Sequence, residues 1–408
     1  MQYQFVGWHS IAVTNDTDRK RHMQRFCGAL RKFVLIALAY CTLLVTCASP
    51  ARGQQSSQSN NTQAFTQSSQ GTYPAGGVQS APSMATTPTP DGNAMRSTAQ
   101  PGMGNDKMGA PGLIPPGIMV GQAGKWMVGY QVTFYKFDGN LVGTDPISSV
   151  AVLRQFAVAP TNMTMQMQMG TVMYSPTDKL TFMAMVPYSS KLMNHVTRDG
   201  TRFSEQTNGI GDIGLSGLYS LYARKDLRHR VLLNAGIGLP TGSIDRTMGG
   251  MRLEYPMQQG SGTVSLIPGF TYLGQALPWG WGAEFIPTLR VGRNSNGYRL
   301  GNRYQPSIWG ARQLTPWLSL SARANGNVWQ NIHGADAALN PINEPTKDPT
   351  LQGGRLIDLT FGMRLNPTEG FLKGHEFFVD ADKPIFQSLD GPQLQMRWAV
   401  RLGWQWAF

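Results

Sequence analysis

Over the last fifteen residues, apolar and polar side chains alternate without a break. Leu394, Met396, Trp398, Val400, Leu402, Trp404, Trp406 and Phe408 take every second position, and Gln395, Arg397, Arg401 and Gln405 fall between them. Successive side chains of a strand point to opposite faces, so this segment has one apolar, aromatic face and one polar face. A strand of a transmembrane barrel needs that form, with lipid outside, water inside and aromatic residues at the interfaces. Strand character recurs in about twelve segments, near 123–137, 161–175, 179–195, 208–223, 229–240, 261–275, 279–293, 301–313, 316–330, 353–366, 375–387 and 392–408.

The connections support the same fold. Links at 175–178, 224–228, 276–278 and 314–316 are tight, and the link at 367–374 is fairly short. The alternate links, 138–160, 197–208, 241–260 and 332–352, are long, with 295–300 and 390–391 as short exceptions. Outer-membrane barrels place short turns on the periplasmic side and longer loops outside. The pattern predicts an all-β fold: a transmembrane antiparallel up-and-down β-barrel of about 12 strands over residues 118–408. A soluble β-sandwich also has many short strands, but it does not account for the final strand or the long alternate loops.

Composition changes the picture upstream. Charged residues make up only 14% of the 408 and glycine numbers 47, yet no segment after residue 50 has the apolar length of a membrane helix. Basic residues from Arg19 to Lys32 precede an apolar run, Phe33 to Thr46, and then Ala51-Arg52-Gly53. That order predicts a cleaved signal peptide with an extended basic leader over 1–53, with Met23 as an alternative start. Leu44-Val45-Thr46-Cys47 faintly matches a lipoprotein box, but Thr46 fits it poorly. Cys27, Cys41 and Cys47 all precede the expected cut, which leaves the mature chain neither disulfides nor thiolate ligands. Residues 54–117, rich in Gln, Ser, Pro and Met, have too few large apolar side chains to fold and predict a disordered periplasmic tail. The net charge of +12 falls to +7 beyond residue 53, because the leader has seven Lys/Arg against two Asp/Glu. No basic cluster with interleaved aromatics marks a nucleic-acid partner. The expected location is the outer membrane of a Gram-negative bacterium. The expected partners are outer-membrane lipid, a small-molecule solute and the barrel-assembly machinery, which would read Trp404, Trp406 and Phe408.

Several stretches together are similar to one family. They are Gly124-Lys125-Trp126-Met127, Met163-Thr164-Met165-Gln166-Met167, Val186-Pro187-Tyr188 and Met193-Asn194-His195-Val196-Thr197. Gly209-Ile210-Gly211-Asp212-Ile213, Leu239-Pro240-Thr241-Gly242-Ser243 and the C-terminal Trp404-Gln405-Trp406-Ala407-Phe408 continue the pattern. Over about residues 118–408 the chain resembles the outer-membrane transporters of the "MetA-pathway of phenol degradation" family. The resemblance implies a barrel and uptake of small organic molecules, with aromatic ones as one option, and it brings no catalytic residue.

No enzyme or cofactor motif is present. Gly209-Ile210-Gly211-Asp212-Ile213-Gly214 lacks the following helix and acidic partner of a dinucleotide site, and the histidines beyond the leader form no triad pattern. Candidate chemistry lies on the inward faces. Period two places Arg323, Asp358, Asp380, Asp382, Arg397 and Arg401 toward the lumen of the last strands. A tilted strand climbs about 2.3 Å per residue. Arg323, Asp358, Asp382 and Arg401 each stand about seven or eight residues above their short-turn ends, so they form a mid-height row. Such a row is either a structural salt-bridge belt or an eyelet that selects solutes. Met163, Met165, Met167, Met169 and Met173 alternate with Thr164, Gln166 and Gln168, which predicts methionines toward lipid and polar residues toward the lumen. The alternative treats Met183, Met185, Met193 and His195 as soft ligands for Cu(I), with Met84, Met95, Met103 and Met108 of the tail in support. Three functions stay open: a channel for small organic solutes, a metal-linked outer-membrane protein, and a non-conducting structural barrel.

Overall fold

The computed structural model describes Leu113, residues 123–224 and residues 228–408. The expected signal peptide, and the expected tail apart from Leu113, lie outside the described residues.

The chain begins with β1 (Lys125–Gly143), β2 (Asp145–Ile147), a one-turn helix α1 (Ser149–Val152), β3 (Val158–Thr177) and β4 (Leu180–Thr197). β5 (Arg202–Ile210), β6 (Ile213–Ala223) and β7 (His229–Leu239) follow, then a small ladder of β8 (Thr247–Met248) and β9 (Met251–Arg252). β10 (Val264–Ala276), β11 (Trp279–Val291), β12 (Arg303–Thr315), β13 (Leu318–Trp329), β14 (Gly354–Leu365) and β15 (His375–Ala407) complete it. Eleven strands form an antiparallel ring in the order β15-β14-β13-β12-β11-β10-β7-β6-β4-β3-β1, closed where β15 pairs with β1. Closure leaves the ring no open edge, which is what lipid demands of a sheet.

β15, at 33 residues, is too long for a single pass. It doubles back near Asp390-Gly391: the Gln387 side chain bonds the Met396 backbone in both directions, Arg401 meets Asp380, and Gln405 meets Glu376. The wall is therefore crossed twelve times, which agrees with the alternation in the sequence. β2 and β5 lie off the ring. β2 pairs with the far end of β1, and β5 extends β4 over Tyr188–Val196 beyond its ladder with β6. The span 197–208, expected as a long loop, is instead the tip of this hairpin, because Glu205 and Thr207 carry the inward alternation through β5.

Alternation decides which side chains meet lipid. Trp126, Tyr130, Phe182, Phe270, Trp398 and Trp406 are all exposed on the outer surface. At the short-turn end, Trp126 stacks on Tyr174 with centroids 4.5 Å apart, and Trp406 lies 4.4 Å from Phe408. Pairs of this kind contribute about 0.5–1.5 kcal/mol beyond burial, and the first ties β1 to β3 at this end. Phe408 also exchanges backbone hydrogen bonds with Trp126 at 2.9 Å. No helix among the described residues is long and apolar enough to cross a membrane, and the strands alone provide the apolar surface.

Two sequence motifs lock the wall to its longest loops. Thr241 Oγ1 accepts from Ile213 N and donates to Gly211 O, both at 2.9 Å. Asp212 accepts from Gly242 N and Ser261 N, each at 2.9 Å. A Cβ on Gly260 would sit 2.2 Å from Gly242 O, so only glycine permits this crossing. The Gly-Asp and Leu-Pro-Thr-Gly segments thus have a structural role, folding the start of the β7–β10 loop back over the kink between β5 and β6. Leu113 is fully buried against the inward-facing Gly280.

Candidate functional site in the barrel lumen

The interior has two unlike walls. On the first, β1, β3 and β4 are in direct register, with Met127 opposite Met173 and Met173 opposite Met183. Met163, Met165, Met167, Met169 and Met173 are 1–3% exposed, and they pack in one cluster with Met183, Met185, Met193, Met257 and Met396. The expectation that the β3 methionines face lipid is therefore overturned. Alternation defines two faces without saying which is inside. The register with Gln131 and Thr133 of β1 turns the methionines inward and leaves Thr164 exposed and Gln166 and Gln168 partly exposed outside. Thioethers are flexible and polarizable and make favourable contacts with aromatic rings, so this wall suits apolar solutes of varied outline.

The adjoining wall carries charge, for Thr133 of β1 has Met167 on one side and Arg401 on the other. Arg323 lies opposite Thr360, and Thr360 lies opposite Asp382, so the mid-height row crosses β13, β14 and the first arm of β15 in register. Arg401, on the second arm, places Nη1 3.1 Å from Asp380 and Nη2 3.6 Å from Asp382. Asp382 accepts from Thr360 at 2.5 Å, and Asn325 donates to Asp358 at 2.7 Å and to Thr360 at 2.9 Å. Arg364 adds a contact to Asp380 at 3.6 Å. Arg323 turns toward Glu284 at 4.0 Å and lies over the Trp309 ring with its Cζ 5.0 Å from the centroid. Sequence reasoning missed Arg364, Glu284 and Glu376. Arg364 and Glu376 sit in phase with Asp358 and Asp380, which was the available signal, whereas Glu284 lies on β11, where no candidate was identified.

Arg397 is a correction. It is exposed and outside the lumen, its Nε donating to Asp138 O at 3.0 Å. The cause is a register shift: Lys136 pairs with Trp398 but Phe137 pairs with Met396. The bulge reverses the phase of the strand, so Leu394 and Met396 turn inward above it while Arg401 and Gln405 stay inward below. Trp406 and Phe408 remain on the exposed side, and Trp404 is half-buried with its indole N–H donating to His375 at 2.9 Å.

Three loops cap the long-loop end, β9–β10, β11–β12 and β13–β14. Lys191 of β4, fully buried, donates to the carbonyls of Pro256 at 3.0 Å and Gln258 at 2.6 Å, drawing the β9–β10 loop into the mouth. Tyr255, Tyr298, Leu300, Ile332 and Leu339 form a buried cluster from three loops above the lumen. His195, two residues beyond Met193 on the same inward face, meets Glu344 of the β13–β14 loop at 2.9 Å and Glu254 of the β9–β10 loop at 3.6 Å. It therefore faces carboxylates rather than thioethers. Met183 and Met185 stand ten or more residues lower on the same strand, opposite Ser216 and Gly214 of β6.

Together these features define a transmembrane β-barrel of the outer-membrane class with an amphiphilic, capped lumen. The COG4313 outer membrane channel from Pseudomonas putida F1 has a similar fold, with a TM-score of 0.53 and 12% identity over 70% of this chain and 96% of that one. A FadL homologue from Pseudomonas aeruginosa aligns at a TM-score of 0.37 and 10% identity over 80% of this chain and 99% of that one. The first match supports the fold, and the second is too distant in shape to add to it. No family model matches the chain, and a search of curated proteins finds no match. The likeness to the phenol-degradation transporters rests on the residues that suggested it.

Proposed function

We propose that the protein is an outer-membrane channel for small organic solutes, one-ring aromatic compounds among them. The observation that carries this reading is the division of the lumen: buried methionines on β1, β3 and β4 adjoin a belt of Arg and Asp on β13 to β15. An apolar ring gains contact on the first wall, and a hydroxyl or carboxylate finds donors on the second. A barrel of this size has room only for a narrow, side-chain-lined path, so both walls are within reach of one small solute. The name of the Pseudomonas putida barrel, an outer membrane channel, is consistent with this use of the fold. Signal-peptide cleavage, outer-membrane location and recognition by the assembly machinery belong to the same proposal.

Proteoliposomes test it. The purified protein should speed entry of a hydroxylated aromatic acid that crosses lipid slowly. Replacing Met165 and Met169 together by serine should slow that entry more than it slows a small sugar. Equal slowing of both solutes would show that the methionine wall does not recognise the ring.

A further inference from the structure

The groups around His195 are poorly accounted for as a hydrogen-bonded network. Glu254 and Glu344 each stand at the start of a 3-10 helix, Tyr255–Met257 and Pro345–Lys347, where an acidic side chain ordinarily caps the backbone. Neither does so. Both carboxylates turn instead toward His195, and the ligand atoms of the three residues lie within 4.8 Å of one another. All three side chains are no more than 1% exposed. Both oxygens of Glu254, Oε1 of Glu344, Oε2 of Glu205 and both ring nitrogens of His195 are buried with no hydrogen-bond partner outside these four residues. The 2.9 Å approach of His195 Nε2 to Glu344 is an ion-pair contact without hydrogen-bond alignment. Glu205 joins from β5, opposite Met193. So many polar atoms turned only on one another in one dry place are costly unless something else fills it.

We propose that His195, Glu254 and Glu344, with Glu205 as a fourth donor, bind one divalent transition-metal ion, for which Zn2+ is the best match. One imidazole and carboxylate oxygens form a borderline-to-hard set that suits Zn2+ and disfavours Cu(I). Ligands at about 2.0–2.2 Å from a tetrahedral ion stand roughly 3.3 Å apart, so small rotations of the two loop carboxylates complete the shell. The charge count agrees. Glu205, Glu254 and Glu344 supply three negative charges, and Lys347, 3.2 Å from Glu344 Oε2, returns one. A dication makes the group neutral. Without the ion, neutrality requires protons on both His195 and Glu205. The outward face of this hairpin is polar, with Ser204, Gln206 and Asn208 exposed, so the site lies beyond the lipid-facing band. An ion here would pin the β9–β10 and β13–β14 loops to β4 and brace the cap.

The experiment uses the full-length protein isolated from membranes in detergent, carrying no histidine tag. After chelation and dialysis, Zn2+ is titrated in by calorimetry, and metal content is measured by mass spectrometry. The expected result is one Zn2+ per chain, with about 100-fold weaker binding in Glu254→Gln and His195→Gln and unchanged binding in His333→Gln. X-ray absorption of the Zn2+ form should show an N/O shell with one imidazole at about 2.0–2.1 Å. If the Glu254 and His195 variants do not fold, the unmodified chain still decides. Failure to take up stoichiometric Zn2+, or a bound ion without imidazole scattering, overturns the proposal. So does a metal-free protein whose His195 ring carries both protons at pH 8 by nitrogen NMR and keeps them when Zn2+ is added.

Discussion

Removing Arg401 should cost more than removing Arg401 and one of its partners together. The Arg401 side chain is 7% exposed and contacts Asp380 at 3.1 Å and Asp382 at 3.6 Å. Arg401→Met leaves both carboxylates in place. Asp380 keeps Arg364 at 3.6 Å and Asp382 keeps its hydrogen bond from Thr360, but both lose the Arg401 guanidinium. Breaking a buried pair by deleting one member costs about 3–5 kcal/mol. The lower end applies here, because Arg364 still compensates Asp380 and water in the lumen screens the rest, so the expected loss is about 3 kcal/mol. Arg401→Met with Asp382→Asn should recover about 1–2 kcal/mol of it, a coupling in the range seen for contacting charges. Urea unfolding in detergent micelles, followed by tryptophan fluorescence, would measure the four corners of the cycle. Additivity of the two single changes within about 0.5 kcal/mol would refute the pairing. The same variant carries a conduction signature: if the belt selects solutes, losing a fixed positive charge from the lumen wall should shift ion preference toward cations in planar bilayers. Lower stability with unchanged selectivity would make the belt structural only.

Other expectations follow from single positions. Gly282→Ala should destabilise the barrel by about 1–3 kcal/mol, since a Cβ there would come 2.2 Å from Trp309 and 2.5 Å from Tyr272 O; an unchanged urea midpoint would contradict the close packing. Phe408→Asp, by placing charge beside Trp406 on the lipid-facing side, should lower the amount of folded, heat-modifiable barrel in membranes, and normal amounts would argue against that role. Deleting residues 54–112 should leave a folded barrel because the segment lacks core-forming residues. A rise in conductance on that deletion would implicate the chain leading to Leu113, which is buried against Gly280, in closing the lumen.

The barrel itself was legible because its signal is periodic. Alternation locates each pass even when the average hydropathy is low, and the twelve segments correspond to the twelve crossings of the wall. Alternation alone does not say which face is inside. On β3 the more apolar face turned inward, because its partners there are the methionines of β4 and the buried Met257 of the capping loop. Outward-facing Gln166 and Thr164 lie toward the long-loop end of the strand, where the outer surface no longer needs to be apolar. The mid-height row of charge was readable from residue counts because strands in register keep step, as Arg323, Thr360 and Asp382 do. Arg397 was misplaced because a bulge adds one residue and reverses the phase without any mark in composition. Glu254 and Glu344 were invisible for a different reason. They lie in loops with no period, and their approach to His195 depends on how two distant segments fold over the mouth.

Flux of a single labelled solute is the most direct test of the channel itself. Proteoliposomes containing the protein would be mixed rapidly with a hydroxylated aromatic acid, and entry would be compared with that into empty vesicles and into vesicles holding Arg401→Met. The amphiphilic lumen predicts entry well above the empty-vesicle rate, reduced when Arg401 no longer offers a donor to the carboxylate. Entry at the empty-vesicle rate, with the barrel shown folded by heat-modifiable migration in detergent gels, would contradict it.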